Sequence, residues 1–162
     1  MTQPRPAVVR FYVDQDLRGA GILLGGLRHD LTYPGDAGAV VHKRARQPSP
    51  IPEGAKDIDW LPTVGGEGWL TISRDRNIQD SLSELTAVQA HLVKMVCLTG
   101  ELSRNKWGQL ETLMTYWHLL EPLADRTGPF VYKLSKPGGL REVNIDSALD
   151  RLRNGRRRNP RK

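Results

Sequence analysis

Short apolar runs alternate with amphipathic stretches along this chain, and the alternation predicts strands and helices in turn. Two of the runs, residues 8–13 and 69–73, are rich in β-branched or aromatic residues and are followed closely by an aspartate. Residues 93–98 form a similar run, and residues 39–42 a weaker one. Strands that alternate with helices imply right-handed crossovers and a parallel sheet covered on both faces. We therefore predict a three-layer α/β/α sandwich with a mainly parallel sheet.

The helical spacing of apolar residues predicts helices over residues 19–31, 57–64, 83–91 and 105–125. Asp57 and Ser83 are the expected N-caps of the second and third of these helices. The longest helix carries a stripe of large apolar side chains, which we interpret as core rather than as a ligand-binding surface. Its aromatic and sulfur-containing members are Trp107, Met114 and Trp117.

A terminal hairpin is predicted from residues 130–134 and 141–145, which flank a Lys-Pro-Gly-Gly turn. Residues 146–153 can add a short helix. The length suits one domain, for which we expect a flexible lead-in over residues 1–7, a folded domain over 8–150 and a basic disordered tail over 151–162.

The positive charge of the chain is concentrated in that tail. The net charge is +6, but residues 151–162 contain seven Lys or Arg and no acid. Without them, 17 basic and 18 acidic residues remain. The high isoelectric point therefore says nothing about nucleic-acid binding by the folded part.

Composition excludes several classes of site. Cys97 is the single cysteine, so no internal disulfide can form, and we expect its side chain to be a small buried hydrophobe. One cysteine and four scattered histidines do not make a zinc site. No apolar run approaches the roughly 20 residues of a membrane span, and the first residues do not read as an export signal. We expect a cytoplasmic protein with no membrane partner.

Aspartates at the ends of two predicted strands suggest a cation site. Asp14 and Asp16 follow the first strand, and Asp75 follows the run 69–73. Because the carboxyl ends of parallel strands meet at one edge of a sheet, these carboxylates are expected to converge. Mg²⁺ and Mn²⁺ prefer oxygen ligands. Taken one at a time, the acids could equally be solvated loop residues, helix caps or partners of the flanking arginines.

Four short motifs occur in a characteristic order on this strand–helix framework. They are Arg-Phe-Tyr-Val-Asp-Gln-Asp-Leu at 10–17, Asp-Ile-Asp-Trp-Leu-Pro at 57–62, Trp-Leu-Thr-Ile-Ser-Arg-Asp-Arg at 69–76 and Gly-Pro-Phe-Val-Tyr-Lys-Leu at 128–134. Together they resemble the PIN-like domain family, and within it the VapC-like subgroup of small bacterial toxins. The resemblance covers about residues 8–145.

The resemblance implies a Mg²⁺- or Mn²⁺-dependent endoribonuclease that serves as the toxin of a toxin–antitoxin pair. Its motifs carry the catalytic and metal-binding roles onto Asp14, Asp57 and Asp75, with Asp16 and Asp59 as further ligands or orienting groups. The expected partners are an RNA substrate, a cognate antitoxin and a second copy of the chain in a homodimer. The family's usual fourth acid has no clear counterpart here, and Asp80 is the nearest candidate.

Basic residues near these motifs are candidates for holding the phosphates of RNA on either side of the cleaved bond. The alternative interpretation is an ordinary solvated basic face. The candidates are Arg74, Arg76, Lys43, Arg44 and Arg46.

Three other interpretations compete. Asp14-Gln-Asp16 also resembles the nucleophile motif of haloacid-dehalogenase-type phosphatases, but Arg18 stands where that family wants Thr or Val, and its late Asp-rich motif is missing. The glycines at 19, 21 and 25 faintly resemble a dinucleotide-binding loop but have one residue too many. A non-catalytic protein, whose acids cap helices and whose tail binds nucleic acid or an acidic partner, is the third.

Overall fold

A six-stranded sheet forms the centre of the molecule in the computed structural model, which describes residues 2–74 and 77–158, with side chains through residue 155. Its strand order is β3-β2-β6-β7-β8-β9, and all neighbours are parallel except β8 and β9. A smaller sheet has the order β1-β5-β4. The strands are β1 (Arg5–Pro6), β2 (Phe11–Val13), β3 (Leu31–Thr32), β4 (Ala39–Val41), β5 (Arg44–Arg46), β6 (Leu70–Ser73), β7 (Lys94–Leu98), β8 (Phe130–Ser135) and β9 (Gly139–Val143).

Helices cover both faces of the central sheet, each over its own hydrophobic cluster. Helices α1 and α4 pack on one face, and α2, α3 and α5 pack on the other. The prediction of an α/β protein with a mostly parallel sheet and a terminal hairpin is confirmed. The helices are α1 (Arg18–Leu27), α2 (Asp57–Glu67), α3 (Leu82–Ala90), α4 (Lys106–Asp125) and α5 (Ile145–Arg158).

Alternation along β2 sends successive side chains to opposite faces of the sheet. Phe11 and Val13 join the cluster under α1 and α4, whereas Tyr12 joins the cluster under α2, α3 and α5. Tyr12 is paired in register with Thr71, which is paired with Met95. Two residues further along each strand, on the same face, Asp14 lies beside Ser73, whose hydroxyl it accepts.

Two helix starts differ from the prediction. Lys56, not Asp57, is the N-cap of α2, and its side chain makes no capping hydrogen bond. Ser81, not Ser83, caps α3, and its hydroxyl accepts a hydrogen bond from the backbone N–H of Glu84 at 3.4 Å.

The predicted helix 19–31 is too long, because α1 ends at Leu27 and Leu31 starts β3. Arg28 has extended backbone angles and its guanidinium pairs with the Asp30 carboxylate at 2.9 Å. The Asp30 carbonyl in turn accepts the backbone N–H of Phe11 at 3.0 Å. These contacts bind the segment to the sheet, so Leu31 continues a strand and not a helical stripe.

Both ends of the chain are more regular than expected. The lead-in, predicted to be flexible, contributes β1, which pairs in parallel with β5. The helix predicted over 146–153 extends to Arg158, so the disorder predicted for the tail is wrong for residues 151–158. Burial of Ala148 and Leu149 in the cluster shared with α3 fixes α5 upstream of the basic residues. Residues 159–162 lie outside the described part of the chain.

The apolar stripe of α4 is only partly core. Leu113 and Leu120 are fully buried, but Trp107 and Met114 are 81% and 66% exposed. Trp117 is half-buried, with its ring 4.8 Å from that of Phe11. The stripe is wider than the surface that the sheet covers, so the prediction of core positions is wrong for Trp107 and Met114.

Cys97 is fully buried in β7, as predicted. Within the described ranges, no helix combines the length and the hydropathy that crossing a membrane requires.

Candidate active site

Asp14 lies at the carboxyl end of β2, on the last rung of the ladder between β2 and β6. Its backbone N–H donates to the Ile72 carbonyl at 2.9 Å. One carboxylate oxygen accepts the backbone N–H of Gln15 at 2.5 Å, and the other accepts the Ser73 hydroxyl at 3.2 Å. Only 5% of the residue is exposed. The carboxylate is therefore held by two donors that carry no charge.

The electrostatic surroundings of Asp14 disfavour its ionised form. Burial raises the pKa of its carboxyl group to about 6, and the charges of Asp57 and Asp16 push it in the same direction. The hydrogen bonds from Gln15 and Ser73 oppose this shift without cancelling it. The charges of Asp57 and Asp16 thus act on Asp14 at the carboxyl edge of the sheet, and the predicted convergence with Asp75 stays a prediction.

Asp57 reaches this edge from the first turn of α2. Its carboxylate accepts the indole N–H of Trp60 at 3.1 Å, within one helical turn. Trp60 is 2% exposed and its ring packs 5.4 Å from that of Tyr12. The aromatic pair therefore orients an acid of α2 towards the strand that carries Asp14.

A narrow cleft opens beside Asp57, between α2, β6 and α3. Three polar side chains line it, together with the apolar groups of Trp60, Leu61, Ile78 and Met95. The polar ones are Asp57, Ser73 and Glu84. Sequence reasoning missed Glu84. Its signal was the Ser81-x-x-Glu84 pattern of a capping box, which marks a helix start immediately after the loop that contains Asp75.

The structure does not bring every predicted acid to this cleft. Asp16 is exposed but close enough to Asp14 to influence its pKa. Asp59 is exposed, and its position two residues along the helix from Asp57 places it about 200° round the axis. Its role as a further ligand or orienting group stays a prediction. Asp80 forms an ion pair with Arg151 at 3.1 Å instead of joining the acids. Asp75, the third predicted ligand, lies outside the described residues.

Arg46 is wrongly predicted as an RNA-binding residue. It is 5% exposed, and its guanidinium lies 2.6 Å from a carboxylate oxygen of Asp36. It also donates to the carbonyls of Gly25 and Arg28, each at 2.9 Å. With its donors engaged inside the protein, Arg46 is not available to a phosphate.

The other basic candidates divide by location. Lys43 and Arg44 are exposed on the β4–β5 hairpin. The neighbouring His42 contacts the Leu27 carbonyl, which places the hairpin at the end of α1 opposite to Asp14. Arg74 is half-buried directly after β6, and Arg76 falls outside the described residues. A phosphate-binding role for Lys43, Arg44, Arg74 and Arg76 stays a prediction.

The chemistry of the donor set fits a divalent cation. Asp14, Asp16 and Asp57 present oxygen ligands and repel one another, and a doubly charged ion would reverse that repulsion. Among residues 2–74 and 77–158, no three acids, histidines or cysteines stand close enough to form a complete metal site. Asp14 and Asp57 could hold an ion in part, and Asp75 would have to complete the set.

Comparison with known proteins gives one match. A family model described as PIN like domain matches residues 10–100, more than half of the chain, from the start of β2 to just beyond β7. No curated protein and no solved structure matches the chain. PIN-like domains are generally nucleases and commonly use divalent metals. The matched segment contains Asp14, Asp57 and Asp75. The chain belongs to the PIN-like domain family.

Proposed function

We propose that the protein is a Mg²⁺- or Mn²⁺-dependent endoribonuclease whose cation is held by Asp14, Asp57 and Asp75. The observation that carries the proposal is the environment of Asp14: a buried carboxylate at the carboxyl edge of the sheet, on which the charges of Asp57 and Asp16 also act. When bound, a divalent ion supplies an activated water and neutralises charge on the scissile phosphate.

The protein's own groups fix the orientation of the acids. The Ser73 hydroxyl and the Gln15 N–H hold the two oxygens of Asp14, and the Trp60 indole holds one oxygen of Asp57. Such supporting hydrogen bonds keep metal-binding oxygens in place and typically change metal affinity by about 10–100-fold. Asp16, which is exposed beside Asp14, is available to orient a water or to act as a further ligand.

Helix α5 provides a path for RNA towards this edge. It runs opposite to α3: Asp146 contacts Gln89 near the end of α3, and Arg151 contacts Asp80 just before its start. The basic half of α5 therefore ends on the side of the sheet where β6 ends. Arginines there, with Arg74 and Arg76, would bind the phosphates that flank the cleaved bond.

The resemblance to VapC-like toxins extends the proposal to a biological role. The protein would be the toxin of a toxin–antitoxin pair, acting in the cytoplasm on cellular RNA and neutralised by a cognate antitoxin. Induced expression should arrest growth, and co-expression of a short neighbouring reading frame with a DNA-binding half should restore it. Unimpaired growth at high expression, with no effect of the neighbour, would argue against the toxin role.

The nuclease proposal is tested by incubating a mixed RNA pool with the full chain, with and without Mn²⁺. The wild type should cleave only with the metal, and Asp14→Asn, Asp57→Asn and Asp75→Asn should each lose cleavage. Asn keeps the shape of Asp but removes the charge that holds the ion. Asp150→Asn is the matched control, because Asp150 is exposed on α5. Full activity of Asp75→Asn would overturn the shared site.

Thermal stability provides a second readout. A cation that binds the native state raises the melting temperature, with the logarithm of its concentration once this exceeds Kd, and the three variants should lose this response. RNA binding that is independent of metal, with no cleavage and no metal-dependent shift, would favour the alternative of a non-catalytic binding protein.

A further inference from the structure

Tyr12 is a buried polar residue next to the acids. None of its surface is exposed, and its hydroxyl makes no hydrogen bond within the described structure. It precedes Asp14 by two residues on β2, so both side chains leave the same face of the sheet. The sequence carried this signal, because the alternation that buries Phe11 and Val13 on one face places Tyr12 and Asp14 on the other.

The ring of Tyr12 packs among the groups that orient Asp57. Its centroid lies 5.4 Å from that of Trp60, whose indole donates to Asp57, and 6.3 Å from that of Trp69. A phenol hydroxyl is a hydrogen-bond donor, so the buried Tyr12 side chain can donate to a carboxylate beside it.

A buried donor without a partner destabilises a fold. A phenylalanine would fill the same space beside Trp60 and Trp69 without that cost. The unpaired hydroxyl thus points to an acceptor that comes within reach when a neighbouring acid moves. Asp57 is the suitable acceptor, because one of its oxygens is held by Trp60 and the other accepts no hydrogen bond among the described contacts.

We propose that Tyr12 is a positioning residue, whose hydroxyl donates to the free oxygen of Asp57 when a divalent cation draws Asp57 towards Asp14. Trp60 and Tyr12 then hold the same carboxylate through neighbouring aromatic rings. This inference rests on the metal site of the proposed function but not on RNA cleavage.

The test compares Tyr12→Phe with Thr71→Val. Thr71 is the in-register neighbour of Tyr12 on β6, and its hydroxyl is likewise buried and without a partner among the described residues. Its side chain is much shorter than that of Tyr12. Both substitutions remove one buried unpaired hydroxyl, so a purely structural effect should be alike in the two variants.

Mn²⁺ affinity is measured by the electron paramagnetic resonance signal of the free ion. Tyr12→Phe should bind Mn²⁺ about 10-fold more weakly than the wild type, the lower end of the range for groups that support metal ligands. Thr71→Val should bind as the wild type does. In metal-free buffer, both variants should melt at or above the wild-type temperature, since each lacks a buried unpaired donor.

A spectroscopic readout reports the new hydrogen bond itself. Addition of Mn²⁺ to the wild type should shift the near-ultraviolet absorbance of tyrosine, and this difference signal should vanish in Tyr12→Phe but persist in Thr71→Val. Mn²⁺ affinity of Tyr12→Phe equal to that of the wild type overturns the proposal, as does an equal loss in both variants. A wild type that binds neither Mn²⁺ nor Mg²⁺ overturns the metal site as well, which separates the two failures.

Discussion

Asp36 and Asp14 are both buried aspartates, and they differ in what faces the carboxylate. Asp36 is 3% exposed and pairs with Arg46 at 2.6 Å, while the Thr32 hydroxyl and the Gly38 N–H each donate to it at 2.9 Å. Asp14 is 5% exposed, its hydrogen-bond donors among the described residues are neutral, and the charges of Asp57 and Asp16 act on it. The Asp36 charge is neutralised by an arginine, whereas no described residue supplies a cation to Asp14.

This difference separates an acid that is paired within the fold from the acid that we propose to hold a cation. Through Arg46, the Asp36 charge links β5 to the carbonyls of Gly25 and Arg28 at the end of α1. The role of Asp36 is therefore to join these two elements of the fold. Asp14 has the same burial but acidic neighbours, so a cation from solution is what its surroundings would accept. Burial of an acid alone does not indicate a site; burial among like charges does.

The largest expected effect is on catalysis by Asp14→Asn. Loss of a charged metal ligand should reduce the rate of Mn²⁺-dependent RNA cleavage by at least about 1,000-fold, equivalent to about 4 kcal/mol. Initial rates on a fluorescent RNA measure it, with Asp150→Asn as the control. A reduction of less than about 10-fold would contradict the role assigned to Asp14.

Removal of one member of the Asp36–Arg46 ion pair should instead affect stability. Arg46→Met leaves the buried Asp36 carboxylate without its counter-charge and should cost about 3–5 kcal/mol of unfolding free energy, measured in urea. Combining it with Asp36→Leu should recover much of the loss, since an apolar pair of similar volume removes the unpaired charge. A single variant as stable as the wild type would show that the pair is not structural.

The pH dependence of stability should report the ionisation of Asp14. Asp14 ionises near pH 4 when unfolded but near pH 6 when folded, so the wild type loses stability as the pH rises through this window. In EDTA, Asp14→Asn should therefore be more stable than the wild type at about pH 7, by up to about 3 kcal/mol. The advantage should disappear below about pH 4.

Asp36→Asn is the matched comparison for this measurement. It removes the carboxylate that faces Arg46 and should destabilise the protein at about pH 7, opposite to Asp14→Asn. If both substitutions destabilised the metal-free protein at neutral pH, the distinction between the two sites would fail.

The smallest expected effect concerns RNA affinity. Arg153→Gln, on the exposed basic end of α5, should weaken RNA binding slightly and reduce the salt dependence by about one charge. Lys43→Gln, on the hairpin at the far end of α1, should change neither quantity. Truncation after Arg153 should weaken binding further, most at low salt, with little change in melting temperature. Equal effects of the Lys43 and Arg153 substitutions would contradict RNA binding at the edge of the sheet where β6 ends.

Sequence patterns predicted the strands and helices that are long enough to show a regular pattern of buried residues. The strands ending near Asp14 and Arg74 and the long helix α4 all have strong periodicity, and the strand-end rule placed Asp14 at the candidate edge. The patterns failed for β1 and β3, because two-residue strands depend on partners distant in sequence.

The errors at single residues have a similar cause. Nothing local distinguishes Arg46, which is buried against Asp36, from Arg44, which is exposed two residues earlier. Glu84 joins the cleft only through the packing of α3 against α2. The site could be predicted where a residue's position follows from its own strand, and not where it depends on tertiary contacts.

The backbone at the two described acids has a consequence for local opening. The Asp14 amide is bonded to the Ile72 carbonyl between two central strands, so it should exchange with deuterium only when the sheet opens. Asp57 begins a helix whose N-cap side chain makes no hydrogen bond, and helix ends of this kind fray. The backbone that carries Asp14 is then rigid, whereas the backbone that carries Asp57 opens locally. In the proposed metal site, exchange of the ion would therefore begin on the α2 side.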